Sequence, residues 1–120
     1  MTERSANLTL ADLRQFTGTE QWYRHGLNRS VLYTDGVKYL AEHAGAYWLI
    51  DEIALAQRGA VAALPFQLWR LTVKRERGIL TCEDGDGRKV RSKRIPFTDF
   101  PLPRIELYCI DNIILLPSEY

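Results

Sequence analysis

Residues 69–94 read WRLTVKRERGILTCEDGDGRKVRSKR. Trp69, Leu71 and Val73 alternate with Arg70, Thr72 and Lys74, the two-residue period that puts apolar groups on one side of a strand and polar groups on the other. Arg77-Gly78 begins a return, and Ile79 to Glu83 reads as a second strand. Asp84-Gly85-Asp86-Gly87 is a strong turn signal ahead of a third strand from Lys89 to Pro96. Three consecutive strands joined by short turns predict an antiparallel meander.

Downstream, Pro96, Pro101 and Pro103 confine Phe97 to Phe100 to a loop or a sheet edge, because proline cannot donate to a ladder. Ile105 to Cys109 and Ile113 to Leu116 flank Ile110-Asp111-Asn112, which predicts a final hairpin. Upstream the pattern is helical. Thr9 with Asp12 three residues later has the form of an N-cap, opening a short helix through about Phe16. Thr17 to Glu20 repeats that spacing ahead of Gln21 to His25, which reads as a second helical turn ending by Gly26. Ser30 to Thr34 reads as a brief strand or connector, closed by a turn at Asp35-Gly36. Val37, Leu40, Ala41 and Ala44 then recur at helical spacing. After Gly45 the period resumes through Gln57 with Ile50, Ile53, Ala54 and Gln57 on one stripe, giving two helices or one kinked at Gly45. The expected fold is α+β, with N-terminal short helices packed on a C-terminal antiparallel sheet of four to five strands, a meander plus a hairpin.

At 120 residues and 46% hydrophobic, the chain has the length of one domain and the apolar content for a core. The expectation is a single domain over residues 1–120, with residues 1–7 a flexible leader. Net charge is only +1, which argues against a wholly basic nucleic-acid binder, but its distribution is uneven. Between Arg70 and Arg94 nine basic residues face four acidic ones, and the rest of the chain is net acidic. No apolar signal region follows Met1 and no run of 18 apolar residues occurs, so a cytoplasmic protein without a membrane partner is expected. Cys82 and Cys109 lie in strand-like apolar surroundings outside any CxxC pair, the pattern of small core residues in a reducing compartment.

Four groups of residues are candidates for chemistry. Trp22-Tyr23-Arg24-His25 places two aromatics, a guanidinium and an imidazole together. Such a group stacks on a base while the arginine meets phosphate, or else anchors a short helix with Arg24 and His25 at the surface. His43 sits one position before the Gly45 break, where the helix dipole favours it without any function. Asp51 and Glu52 interrupt an apolar run, and on a helix they stand 100° apart; one is expected buried against an arginine, the other solvated. Asp84 to Gly87 resembles the start of a calcium loop, but Arg88 and Lys89 follow and no bidentate glutamate does, so a hairpin turn is the better reading. No histidine or cysteine pair has metal-ligand spacing, and no nucleotide-binding glycine motif is present, so neither a metal nor a cofactor is expected.

The strongest signal for a partner is Arg88-Lys89-Val90-Arg91-Ser92-Lys93-Arg94, five cations in seven residues that project to both sides of a strand. On an edge, together with Lys74, Arg75 and Arg77, they would neutralise phosphates in a salt-dependent, sequence-tolerant manner. Charged edges also protect sheets from pairing with one another. The terminal Tyr120 either packs back on the domain or across a dimer contact, or stands free as a ligand for a partner.

Several segments together resemble a family of small bacterial proteins, often from plasmid-bearing or phage-bearing genomes and classed only as a domain of unknown function. They are Gln15 to Glu20 with Trp22 to His25, Leu32 to Gly36, Ala44 to Ile53, and Leu115 to Tyr120. The resemblance implies a compact domain and, through its mobile-element setting, a counter-defence or element-maintenance role; it implies no activity. Two functions follow as expectations. The first is a non-enzymatic binding protein, possible as a homo-oligomer, engaging a protein, a nucleic acid or a nucleotide through Trp22, Tyr23, Arg24, His25, Arg88, Lys89, Arg91, Lys93 and Arg94. The alternative is a small hydrolase or nuclease-like enzyme using His25, His43 and Asp51 or Glu52, which requires those side chains to converge.

Overall fold

Residues 8–120 are described in the computed structural model of the protein; the expected leader over residues 1–7 lies outside them. In chain order the elements are α1 (Leu10–Arg14), β1 (Trp22–Arg24), β2 (Leu32–Thr34), α2 (Asp35–Ala44), α3 (Tyr47–Leu55), α4 (Gly59–Ala62), β3 (Gln67–Lys74), β4 (Arg77–Glu83), β5 (Lys89–Ile95), β6 (Arg104–Ile110) and β7 (Ile113–Leu115). A 3-10 turn over Pro117–Glu119 ends the chain. The fold is α+β.

The seven strands form one sheet in the order β1-β2-β7-β6-β3-β4-β5. The meander β3-β4-β5 and the β6–β7 hairpin are antiparallel as expected, but β2 runs parallel to β7. Seven strands in a mixed sheet replace the expected four to five antiparallel ones. The additional strands are β1 and β2, three residues each; β2 takes the strand alternative at Ser30 to Thr34, whereas β1 is too short to display an alternating period. Within Gln21 to His25, Trp22–Arg24 is accordingly strand rather than helix, and Thr19 caps no helix; its hydroxyl donates instead to Glu119 at 3.4 Å.

Local chemistry explains most boundaries. Thr9 and Asp12 form the expected reciprocal capping box. Asp35-Gly36 is the first turn of α2 rather than a closed turn, because the Thr34 hydroxyl accepts from the Val37 amide and caps the helix. Gly45 ends α2 in the left-handed conformation, φ 64°, and the amide of Ala46 returns to the Ala41 carbonyl, so the two-helix alternative holds. At the β6–β7 turn Asp111 and Asn112 take φ values of 51° and 63°.

The core lies between the sheet and the helices. Trp69, Leu71, Leu80, Cys82, Leu107, Cys109 and Ile114 face Val37, Leu40, Leu49, Ile50 and Ile53. Buried Gln67 exchanges amide hydrogen bonds with Gln57 of the α3–α4 connection at 2.7 and 2.8 Å and accepts from the Trp69 indole at 2.8 Å. That network satisfies polar groups which would otherwise be costly at this depth. The opposite sheet face carries Arg70, which bonds Glu83 at 2.7 Å and Glu106 at 2.8 Å, and Glu106 also receives Arg104 at 2.8 Å.

Candidate functional site

The Trp22–His25 segment and the basic run occupy opposite edges of the sheet, β1 and β5, so the two candidate binding groups do not form one surface. Along β1 and the residue that follows it, alternation sends Tyr23 and His25 toward the helices and Trp22 and Arg24 away. Tyr23 stacks on Tyr33 with ring centroids 5.7 Å apart and has the Lys38 ammonium 4.9 Å above it. Trp22 is half exposed on the other face, so it does not anchor a helix to the core.

His25 is 3% exposed, not at the surface. Its Nδ1 accepts from the amides of Leu27 at 3.2 Å and Asn28 at 2.9 Å, which places the ring proton on Nε2. Nε2 therefore donates to Asp51 Oδ1 at 2.7 Å. Of the four residues expected to converge for hydrolysis, only His25 and Asp51 meet. His43 is stacked 3.8 Å above Tyr39 and bonds its carbonyl through Nδ1. Neither acid pairs with an arginine: Asp51 holds His25, and Glu52 holds Lys93 at 2.8 Å.

β5 is the edge strand that the basic run predicts, and Lys89 to Arg94 are all exposed. Register with β4 sets Lys93 opposite Leu80 and Arg91 opposite Cys82 on the helix side, while Arg94 and Ser92 share the other face with Ile79 and Thr81. Only Lys93 is neutralised; among the described residues Arg88, Lys89, Arg91 and Arg94 form no ion pair. Two neighbouring carboxylates, Glu83 and Asp84, are committed elsewhere. Glu83 is held by Arg70, and Asp84 accepts the amides of Asp86 and Arg88 at 2.9 and 2.8 Å, which with Arg88 nearby holds its carboxyl below the ordinary carboxylate range. Asp84 to Gly87 is thus a hairpin turn.

Sequence reasoning missed the aromatic beside this strand. A cleft of about 390 Å³ opens between α3 and the end of β5, with Trp48, Lys93, Arg94, Phe97 and Asp99 in its lining. Phe97 is 67% exposed there. The signal available was Phe97 itself, three residues beyond the last cation and held in irregular backbone by Pro96.

A family model described as "Family of unknown function (DUF6876)" matches residues 7–120. The chain belongs to DUF6876. No curated protein and no solved structure matches it. The segments that carry the resemblance are joined in space in this DUF6876 member: His25 to Asp51, and Thr19 and Thr34 to Glu119. Among the described residues no group of three or more His, Cys, Asp or Glu side chains is placed to hold a metal ion, and no helix is long and apolar enough to cross a membrane.

Proposed function

We propose that this DUF6876 protein is a non-enzymatic binding protein that engages a polyanion, nucleic acid above all, along β5. The observation that supports it is an edge strand roughly 20 Å long whose guanidinium groups form no ion pair among the described residues and which leads into the exposed Phe97 ring. Cations spaced along an extended strand meet successive phosphates, and an exposed ring stacks on any base, so recognition would be tolerant of sequence. Edge protection alone accounts for the charge but leaves Phe97 unexplained. A counter-defence or inhibitor role in a mobile-element setting is the biological use proposed for such a surface. The hydrolase alternative is supported less, because both ring nitrogens of His25 are engaged and His43 stands apart, stacked on Tyr39.

Fluorescence anisotropy with a labelled single-stranded oligonucleotide and a duplex, titrated from low to moderate salt, tests the reading. Arg91→Glu with Arg94→Glu should lower affinity at least tenfold and shallow the log–log salt slope by about 2, roughly one unit for each phosphate no longer neutralised. Phe97→Ala should weaken binding with an unchanged slope. Equal affinity of parent and charge-reversed protein, or no binding at low salt, overturns it.

A further inference from the structure

A second cleft lies away from the basic strand. It measures about 490 Å³ and is walled by Leu10 and Leu13 of α1, Leu102 and Pro103 before β6, and Leu116 and Pro117 after β7. Its floor is the N-terminal half of β6. Pairing with β3 covers β6 from Arg104 opposite Thr72 to Cys109 opposite Gln67. Pairing with β7 covers only Tyr108 to Ile110. Extending that register would set Pro117 opposite Glu106, and proline has no N–H to offer. The chain instead leaves the sheet at Leu116 and enters the 3-10 turn.

The alternation of an antiparallel ladder fixes which backbone groups remain. The Val73 amide donates to the Pro103 carbonyl at 2.8 Å, so Ile105 and Leu107 exchange hydrogen bonds with β3. The N–H and C=O of Arg104 and Glu106 point the other way, into the cleft, where no backbone partner among the described residues meets them. An unpaired strand edge between apolar walls is the geometry into which an extended peptide adds as a further strand. The charge at the rim selects among peptides. Arg14 lines the cleft without an ion pair among the described residues, whereas the Glu106 carboxylate is occupied by Arg70 and Arg104.

We propose that this cleft binds an extended peptide segment of a partner protein, paired antiparallel or parallel to Arg104–Glu106, with apolar side chains at alternate positions and an acidic side chain reaching Arg14. The site is separate from the polyanion strand, since β6 and β5 are divided by β3 and β4.

A displayed random-heptapeptide library selected against the full chain, with winners resynthesised with capped ends, tests the proposal. Winners should share apolar residues at alternate positions and an acid. They should shift the amide resonances of Arg104 and Glu106, and lose about tenfold in affinity when the pairing amide is N-methylated, the scale of one lost hydrogen bond. Leu10→Glu should abolish binding, and Arg14→Glu should turn the preference from acidic to basic peptides. Both residues are exposed on α1, and an unchanged melting curve shows each variant folded. An oligonucleotide should not displace the peptide. Absence of any enriched sequence, winners indifferent to N-methylation or to Leu10→Glu, or a self-association that protects the Glu106 amide without peptide overturns the proposal.

Discussion

Glu119, the penultimate residue, is held by four donors. Its Oε1 accepts from the Thr34 hydroxyl at 2.6 Å and the Leu116 amide at 2.9 Å, and its Oε2 from the Gly36 amide at 3.2 Å and the Thr19 hydroxyl at 3.4 Å. A carboxylate at the first turn of α2 is favoured by the helix dipole and pins the chain end across the start of that helix. Gly36 is required by closeness, since a Cβ there would lie 2.7 Å from Glu119 Cδ and from Leu116 Cδ1. Gly36→Ala should therefore destabilise by about 1–3 kcal/mol, read as a lower urea midpoint. Combined with Glu119→Ala the loss should fall short of the sum, because both variants disturb the same packing of Glu119 on Gly36. The two thiols give a second residue-scale prediction. Burial pushes Cys82 and Cys109 up to about 12, so at pH 8 almost no thiolate exists in the folded protein. Labelling by a thiol reagent should then follow global unfolding, rising with urea along the same curve as tryptophan fluorescence; fast labelling in native buffer would contradict it.

Among the elements, the β3–β4 turn carries an unusual local cost. Arg75 and Glu76 both adopt left-handed backbone, φ 55° and 63°, the pair of angles a type I′ hairpin demands and which Asn-Gly supplies more cheaply. Arg75→Asn with Glu76→Gly should stabilise by about 0.5–1 kcal/mol, visible as a raised melting temperature with an unchanged spectrum. The Glu76 carbonyl that accepts from the Thr98 amide at 2.9 Å is retained. Long elements were legible because period and turn chemistry agree in them: eight residues in β3, the glycine stop of α2, the Asp111-Asn112 turn. Gln21 to His25 was not, although its aromatic content favours a strand, because three paired residues fit a helical turn equally well. Asp35-Gly36 was misread for a different reason: an acid and a glycine mark a turn in isolation, and only the Thr34 cap turns them into a helix start.

Across the whole molecule, the candidate site was half legible. A run of cations announces itself in sequence, but which of them is free depends on partners such as Glu52, 41 residues from Lys93. The open edge of β6 is a product of register between strands and could not be read locally. Global electrostatics gives the last prediction. On the sheet face away from the helices, bonds from Arg104 and Arg70 hold the Glu106 carboxyl below the ordinary carboxylate range despite its partial burial. A carboxyl depressed on folding contributes stability that is fully present above its unfolded value and is lost as pH falls through the folded one. Glu106→Gln should thus weaken the protein at pH 7 and flatten the decline of unfolding free energy between neutral and strongly acidic pH, measured by urea denaturation at each pH. Added salt should narrow the gap little, because the Arg70–Glu106 pair is partly shielded from solvent. Parallel pH curves for parent and variant would show that the ion-pair network does not couple to folding, and would leave acid sensitivity to Asp84, whose depressed carboxyl closes the β4–β5 turn at the far end of the same sheet.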